Sequence, residues 1–285
     1  MADVEWLIQN DANVLTHLEG NGDFRSDECK ALMEEADIVV TNPPFSLFRE
    51  YVGQLMEMDK KFLIIGNQNA ITYKEIFPLL QYNKVWLGYH SGHTLFAVPE
   101  TYEIPEHLGT DRARVRGAGY KVDENGRLWR DLGNICWFTN LDHTKRHEQL
   151  DLFKPYDPEK YPKYDNYDAI EVSKVADIPC DFKGVMGVPI TFLEKYNPEQ
   201  FEILGLTQRG CHPESMELKK YDDYKEMKPD GTPTGSSGGK TNGNPNLAKN
   251  DGRHNYFINA EGHVVQSCYQ RIFIRNLHPE EPLGV

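Results

Sequence analysis

Apolar residues in the first seventy positions alternate between helix-like and strand-like patterns. Residues 29–35 are helix-forming, and Ser26 precedes them as a candidate N-cap, with two acidic residues next where negative charge suits the helix dipole. The β-branched run 38–41 is too apolar for a half-exposed strand, so it predicts a buried strand of a parallel sheet. That strand must end at the proline pair beginning with Pro43, because proline has no N–H to continue a ladder.

A second helix and strand follow the proline pair. Apolar residues recur there at helical spacing: Leu47, Phe48, Tyr51, Val52, Leu55, Met56 and Met58. Residues 62–66 then predict a second buried strand, and residues 84–88 and 135–139 predict later strands of the same sheet. This order of elements, with helices and strands in alternation, is typical of a doubly wound α/β sheet.

The second half of the chain has weaker periodicity. Residues 151–181 are rich in Tyr, Pro, Asp and Lys, which predicts an extended connection over the surface. Residues 230–252 are rich in Gly, Ser, Asn and Pro, which predicts a mobile loop. We therefore expect a sheet-containing domain in residues 1–141 and a second region in residues 142–285 that returns in part to the sheet.

Composition limits the class of protein. Hydrophobic residues make up 39% and charged residues 26% of the chain, an ordinary globular balance. No apolar run approaches the roughly 18 to 20 residues that span a bilayer. The five cysteines are scattered and never spaced as CxxC, so no disulfide framework and no metal site is expected. Together these features predict a protein without membrane contact in a reducing, cytoplasmic setting.

The net charge of −13 argues against non-specific binding of nucleic acid, which needs clustered Lys and Arg. A local basic face could still exist in one stretch, formed by Arg112, Arg114, Arg116, Lys121, Arg127, Arg130, Lys145, Arg146 and His147. Acidic residues are interleaved with these cations. An ordinary solvated surface is therefore an equal alternative.

The sequence Thr41-Asn42-Pro43-Pro44-Phe45 follows a predicted strand, and open α/β sheets bind ligands at the carboxyl ends of their strands. An exocyclic amino group is a poor nucleophile because its lone pair is delocalised into the ring. The side-chain oxygen of Asn42 and the backbone carbonyl of Pro43 can accept both amino hydrogens and align the nitrogen for in-line attack.

The remaining residues of this loop suit the same task. Pro44 and its neighbour restrict the backbone that carries the carbonyl, and Phe45 offers an apolar face on which a base can stack. A base inside a duplex cannot reach such a loop, so the nucleotide would have to be flipped out. The alternative is a strand-terminating turn followed by a core phenylalanine.

Beyond this loop, the chain resembles the EcoRI-type adenine-specific methyltransferases over nearly its whole length. The resemblance rests on residues 20–26 (GNGDFRS), 36–50 (ADIVVTNPPFSLFRE), 61–67 (KFLIIGN), 133–140 (GNICWFTN) and 184–192 (GVMGVPITF). It implies an α/β fold with a partial Rossmann-like methyltransferase sheet and a C-terminal target-recognition region. It also implies S-adenosylmethionine-dependent methylation of adenine N6 in DNA.

The resemblance further assigns roles to individual residues. Asn42 to Phe45 would form the catalytic loop, and Asp23, following a sheet strand, would accept a hydrogen bond from the adenine amino group of the cofactor. Phe24 would stack on that adenine. Residues 20–23 as a plain surface turn and Phe24 as a core residue remain alternatives. RNA adenine or protein glutamine as the substrate, and a non-catalytic remnant, remain alternatives for the function.

One departure from the family pattern concerns the N-terminus. Related enzymes carry an upstream strand with a Gly-rich turn for the methionine part of the cofactor, then an acidic residue for the ribose. Only 22 residues precede Asp23, too few for two such units. We therefore expect a truncated copy, a fragment, or half of a split enzyme whose other half carries the Gly-rich loop. We also expect this chain alone to bind S-adenosylmethionine weakly.

Overall fold

The computed structural model describes residues 17–90, 95–99, 101–102, 119–207 and 218–281. Its helices in this part are α1 (Asp27–Glu35), α2 (Phe48–Glu57) and α3 (Phe77–Gln81). Its first strands are β1 (Ile38–Thr41), β2 (Lys61–Asn67), β3 (Trp86–Leu87), β4 (Leu95–Ala97), β5 (Tyr120–Val122), β6 (Leu128–Asp131), β7 (Ile135–Thr139) and β8 (Ile170–Glu171). The later strands are β9 (Met186–Pro189), β10 (Phe201–Leu206), β11 (Lys225–Met227), β12 (Pro233–Ser237), β13 (Asn246–Leu247), β14 (Tyr256–Ile258), β15 (Val264–Ser267) and β16 (Arg271–Asn276).

Four strands form a sheet in the order β1-β2-β7-β3. β1 is parallel to β2, whereas β7 is antiparallel to both β2 and β3. The strands predicted at 62–66, 84–88 and 135–139 are thus confirmed as members of one sheet, and the fold is mixed α/β. The sheet is mixed rather than wholly parallel.

Strand β1 differs from the prediction. It lies at the edge of the sheet, and no strand of the described ranges pairs with its outer side. Ile38 and Val40 are 50% and 64% exposed, while Val39 packs against the core. The prediction of a buried strand was wrong because an apolar run is typical of burial on both faces, and only one face of β1 is covered here.

Helix α1 begins as predicted. Ser26 caps it, since its Oγ accepts a hydrogen bond of 3.2 Å from the backbone N of Cys29. At the other end, Nζ of Lys60 donates to the carbonyl oxygens of Glu34 and Ala36 at 2.7 and 3.1 Å. A cation at the last carbonyls stabilises a helix C-terminus, so this contact fastens α1 beside β1 and β2.

Helix α2 places its apolar face on the sheet, burying Phe48, Tyr51, Val52 and Leu55. The closest approach is at Gly66 in β2. A Cβ there would lie 2.6 Å from the Phe48 ring and 2.8 Å from the Phe138 ring. Glycine at this position therefore allows the start of α2, and the loop before it, to sit close to the sheet.

The C-terminal half contains two further sheets, in the orders β10-β16-β9-β8 and β12-β11-β14-β15-β13. Residues 151–181 do not run over the surface as predicted, because they bury Tyr161, Tyr164, Tyr167, Ile170, Val172 and Ile178. Tyrosine has a large apolar ring, so a segment rich in it can enter a core if its hydroxyls find partners.

Residues 230–252 were also predicted wrongly, as a mobile loop. They contain β12, the short 3-10 helix Gly238–Thr241 and β13. The buried Asn246 amide accepts from Thr241 and Ser267 at 2.7 Å each. Polar residues here satisfy one another inside the fold, which composition alone does not reveal.

The largest core cluster contains residues from both halves, including Phe62 and Leu87 together with Ile170, Met186 and Ile272. The boundary placed between residues 141 and 142 stays a prediction. None of the helices in the described ranges is long and apolar enough to cross a lipid bilayer.

We expect Gly66→Ala to destabilise the protein by about 1 to 3 kcal/mol, the usual effect of overpacking a core. Gly53→Ala is the matched control, because Gly53 lies in α2 with open space around its Cβ position. That substitution should stabilise the protein by about 0.5 to 1 kcal/mol. Urea unfolding measures both, and equal effects of the two substitutions would contradict the close packing of α2 on β2.

Candidate functional site

An open cavity of about 780 Å³ lies where β1 ends. Its walls are residues 21–24, the apolar side of α1, the end of β1 and the first turns after the proline pair. Asp23, Phe24, Asn42, Pro43 and Pro44 all line it. The structure thus brings together the residues for which the sequence predicted separate roles, across a distance of 19 positions in the chain.

In the predicted catalytic loop the chain leaves the end of β1 and turns directly into the next helix. β1 ends at Thr41, and Pro44 precedes a 3-10 turn, Phe45–Leu47, that leads directly into α2. The Leu47 backbone N donates to the Pro44 carbonyl at 3.0 Å. Phe45 is exposed and lies outside the cavity lining, on the solvent side of the turn.

Two acceptors in this loop are available. Within the described ranges, the Asn42 side-chain amide and the Pro43 carbonyl oxygen have no hydrogen-bond partner. Asn42 is exposed, whereas the Pro43 ring is buried and anchors the loop. The arrangement can therefore receive a ligand that donates two hydrogen bonds.

The loop that carries Asp23 is held by local bonds. Oδ1 of Asp23 accepts from the backbone N and the Nε of Arg25 at 3.0 and 2.9 Å, and Oδ2 accepts from its Nη2 at 2.7 Å. The hydrogen bonds from Arg25 lower the pKa of Asp23 to about 2. The carboxylate is therefore ionised at neutral pH, and Oδ2 keeps a second lone pair. Residues 17–22 form no strand, and the residues before them lie outside the described part of the chain, so the strand expected before Asp23 stays a prediction.

Helix α2 contacts the loop of residues 23–25 through the side chains of Glu50, Tyr51 and Gln54. The Gln54 Nε2 donates to the Phe24 carbonyl at 3.0 Å, and the Tyr51 ring meets the Phe24 ring edge-on at 4.9 Å between centroids. Glu50 pairs with Arg25 at 3.5 Å. Each of the first two contacts contributes about 0.5 to 1.5 kcal/mol, whereas an exposed ion pair contributes little. Tyr51 and Gln54 therefore hold the loop.

The sequence analysis did not identify the residues of α2 that make these contacts. Tyr51 was counted only as an apolar position of a helix, and Gln54 and Glu50 were not singled out. The available signal is their spacing: positions 50, 51 and 54 share one helix face, and that helix begins straight after the catalytic loop. Only the structure shows that this face meets residues 23–25.

Two residues of the predicted basic stretch, Arg146 and His147, make contacts within the fold. Arg146 is buried, with its guanidinium 3.5 Å from the Trp86 ring centroid and an ion pair of 2.9 Å to Asp142. His147 also pairs with Asp142, at 2.9 Å. Arg112, Arg114 and Arg116 lie outside the described residues. In the described ranges no group of three or more His, Cys, Asp or Glu is placed to hold a metal ion.

We expect Arg25→Gln to raise the pKa of Asp23 from about 2 towards its ordinary value of 3.8, because the hydrogen bonds of Arg25 are the main cause of the shift. A lowered folded-state pKa favours folding above pH 3.8, and that contribution disappears as the pH falls through 2. Titration of the carboxyl carbon by NMR measures the shift. Asp123 is the control: a hydrogen bond from Trp129 lowers its pKa, and the substitution of Arg25 should leave that pKa unchanged. An unchanged Asp23 would contradict the pairing.

Comparisons with known proteins find relatives of this chain. The sequence model of the family described as adenine-specific methyltransferase EcoRI matches residues 1–277. The Type II methyltransferase M.EcoRI of Escherichia coli is 54% identical over 202 residues, covering 70% of this chain and 58% of that protein. The Type II methyltransferase M.MpnI of Mycoplasma pneumoniae is 40% identical over 190 residues, covering 66% of this chain and 57% of that protein.

A third relative, the Type II methyltransferase M.MgeORF184P of Mycoplasma genitalium, is 41% identical over 192 residues, covering 66% of this chain and 58% of that protein. The chain thus spans less than three fifths of the length of these relatives. No solved structure matches. Because the family match extends over almost the whole sequence, this chain belongs to the family of EcoRI adenine-specific methyltransferases.

Proposed function

We propose that this chain forms the catalytic half of a modification methyltransferase that transfers a methyl group from S-adenosylmethionine to adenine N6 in DNA. The observation that carries the proposal is the single cavity shared by Asp23, Phe24 and the Asn42 loop. Membership of an adenine-specific methyltransferase family supports the same reaction. Since the chain spans only part of its relatives, their named activity supports this proposal without establishing it.

The cavity suits S-adenosylmethionine. Its volume of about 780 Å³ lies in the range of small-molecule sites. The free lone pair of Asp23 Oδ2 can accept from an adenine amino group, and the Phe24 ring lies beside it in the lining. When bound, the cofactor supplies an electrophilic methyl group on a sulfonium.

The residues of the loop prepare the nucleophile. Asn42 Oδ1 and the Pro43 carbonyl oxygen each accept one hydrogen from the exocyclic amino group of the target adenine. With both hydrogens held, the nitrogen lone pair would be free to attack the methyl carbon. The new N–C bond would form as the sulfonium S–C bond breaks, which leaves a thioether, and the amino nitrogen would then release one proton to solvent. The proline pair fixes the acceptors before the base arrives, so little ordering remains to be done in the transition state.

The target adenine must leave the duplex to reach this loop, because the loop lies at the end of a strand and beside a cavity. The exposure of Phe45 supports a role for its ring in stacking on the incoming base. We assign residues 142–285, with their two additional sheets, to recognition of the DNA sequence.

We also infer that a further segment covers the outer side of β1. Its edge is unpaired in the described ranges, and Ile38 and Val40 present a bare apolar face. An exposed flat edge of this kind is a ready template for strand pairing. A segment of the same or of a second polypeptide, carrying the Gly-rich turn for the methionine part of the cofactor, would fit there.

Asn42→Ala should reduce methyl transfer by about 100-fold or more and leave the fold intact, because it removes one of two positioned acceptors from an exposed loop. Asn125→Ala, in an exposed turn, is the matched control and should keep full activity. The measurement is N6-methyladenine in nucleoside digests of DNA from a host lacking adenine methylation. The chain is expressed alone and with the product of the adjacent upstream reading frame.

Two results would contradict the proposed function. One is the absence of N6-methyladenine from DNA in both arms, and the other is transfer of labelled methyl groups to RNA or protein but not to DNA. Activity retained by Asn42→Ala would remove the loop from the mechanism.

Phe45→Ala should weaken binding of the target base, since stacking of a base on an aromatic ring contributes about 1 to 3 kcal/mol. Phe45→Tyr keeps the ring and should be tolerated. Steady-state kinetics with duplex DNA separate the two variants through kcat/KM for DNA. If Phe45→Ala behaved as the wild type, the ring would have no role in holding the base.

A further inference from the structure

The hydroxyl of Tyr51 is a polar group of the cavity at the end of β1 that the proposed mechanism does not use. Tyr51 is only 6% exposed, packs its ring edge-on against Phe24 and lines the cavity. Within the described ranges its hydroxyl oxygen has no hydrogen-bond partner. A tyrosine hydroxyl inside a fold normally finds a partner, so this one is available to a ligand.

This hydroxyl opens into the cavity rather than into the protein interior. In the described ranges, three polar side-chain atoms are sealed from solvent and lack a partner, namely Nδ1 of His143, Nε of Arg146 and Oε1 of Gln266. The Tyr51 oxygen is not one of them although it also lacks a partner, so solvent reaches it. Because the cavity is the space that Tyr51 lines, a ligand bound there can meet this oxygen.

Tyr51 lies at the Asp23 end of the cavity. Leu47 and Tyr51 are four residues apart and both line the cavity, so this face forms one wall that runs from the Asn42 loop towards residues 23–24. The ring contact with Phe24, at 4.9 Å between centroids, places Tyr51 at the second of these ends. A hydrogen bond from its hydroxyl therefore serves the part of a ligand that is held at Asp23.

The two polar side chains at this end of the cavity have opposite hydrogen-bonding roles. Burial, and to a smaller extent the nearby Cys29, raise the pKa of Tyr51 above its ordinary value of 10.0. The phenol therefore keeps its proton at neutral pH and can donate. The ionised carboxylate of Asp23 can only accept. A ligand that fits here must bring one donor and, beside it, one acceptor.

Adenine presents this pair of groups. Its exocyclic amino group donates, and the ring nitrogens beside that group, N1 and N7, accept, whereas guanine carries an oxygen in place of the amino group. We propose that the Tyr51 hydroxyl donates a hydrogen bond to one of these two ring nitrogens of the cofactor adenine, while Asp23 accepts from its amino group. The inference rests on the proposed function and makes Tyr51 a residue that selects the cofactor, in addition to its packing against Phe24.

Binding of S-adenosylhomocysteine tests this contact without the methyl-transfer reaction. The full chain is titrated by calorimetry, alone and together with the product of the adjacent upstream reading frame. Tyr51→Phe keeps the ring that contacts Phe24 and removes only the hydroxyl, so it should weaken the Kd by about threefold to tenfold, the usual effect of one neutral hydrogen bond. Tyr82→Phe is the matched control and should bind as the wild type, because Tyr82 is exposed and does not line the cavity.

Analogues of S-adenosylhomocysteine in which C–H replaces N1, N3 or N7 of the adenine locate the acceptor. The wild type should bind either the N1 or the N7 analogue less tightly than the parent compound, and Tyr51→Phe should bind that analogue and the parent equally. The N3 analogue is the control, and its loss of affinity should be the same in both proteins.

Wild-type affinity in Tyr51→Phe, or analogue losses that are all the same in both proteins, would overturn the inference and leave Tyr51 with its packing role alone. Methylation that is lost in Asn42→Ala would still uphold the proposed function in that case. No binding of S-adenosylhomocysteine by the chain in either arm would overturn both.

Discussion

The site depends on one helix holding two loops. Helix α2 begins directly after the Asn42 loop, and its Tyr51 and Gln54 side chains hold residues 23–25 at the far wall of the same cavity. The helix can do this because Gly66 lets it approach the sheet closely. Relative placement of the two loops thus follows from core packing, which transmits strain and tolerates little displacement. In the proposed reaction, that packing sets the distance between methyl donor and acceptor.

Much of the sheet could be predicted from local pattern. The capped helix α1, the strands β2, β3 and β7 and the amphipathic helix α2 follow from propensity and periodicity, which act over a few residues. Burial is a property of the whole fold, and the predictions of burial made from the sequence were wrong in three places. The apolar run of β1 reads as an interior strand, yet its position at the edge of the sheet leaves Ile38 and Val40 exposed. The same limit explains the errors at residues 151–181 and 230–252, where tyrosines and small polar residues are buried by satisfying one another.

The candidate site shows a similar division. The residue types of the Asn42 loop point to amino-group chemistry without knowledge of the fold, because two acceptors on a rigid turn suit few other tasks. Asp23 and Phe24 could be named only through resemblance, and their place beside that loop required the structure. The roles of Arg25, Tyr51 and Gln54 depend on contacts between segments some 25 to 30 residues apart, which no local pattern encodes.

The central claim is that one cavity aligns a cofactor at Asp23 with a flipped adenine at Asn42. A crystal structure of the protein with S-adenosylhomocysteine and a DNA duplex tests it most directly. We expect the amino nitrogen of an extrahelical adenine within hydrogen-bond distance of Asn42 Oδ1 and the Pro43 carbonyl oxygen, and the cofactor adenine beside Asp23 and Phe24. A cofactor bound outside this cavity, or an adenine whose amino group faced away from Asn42, would contradict the account.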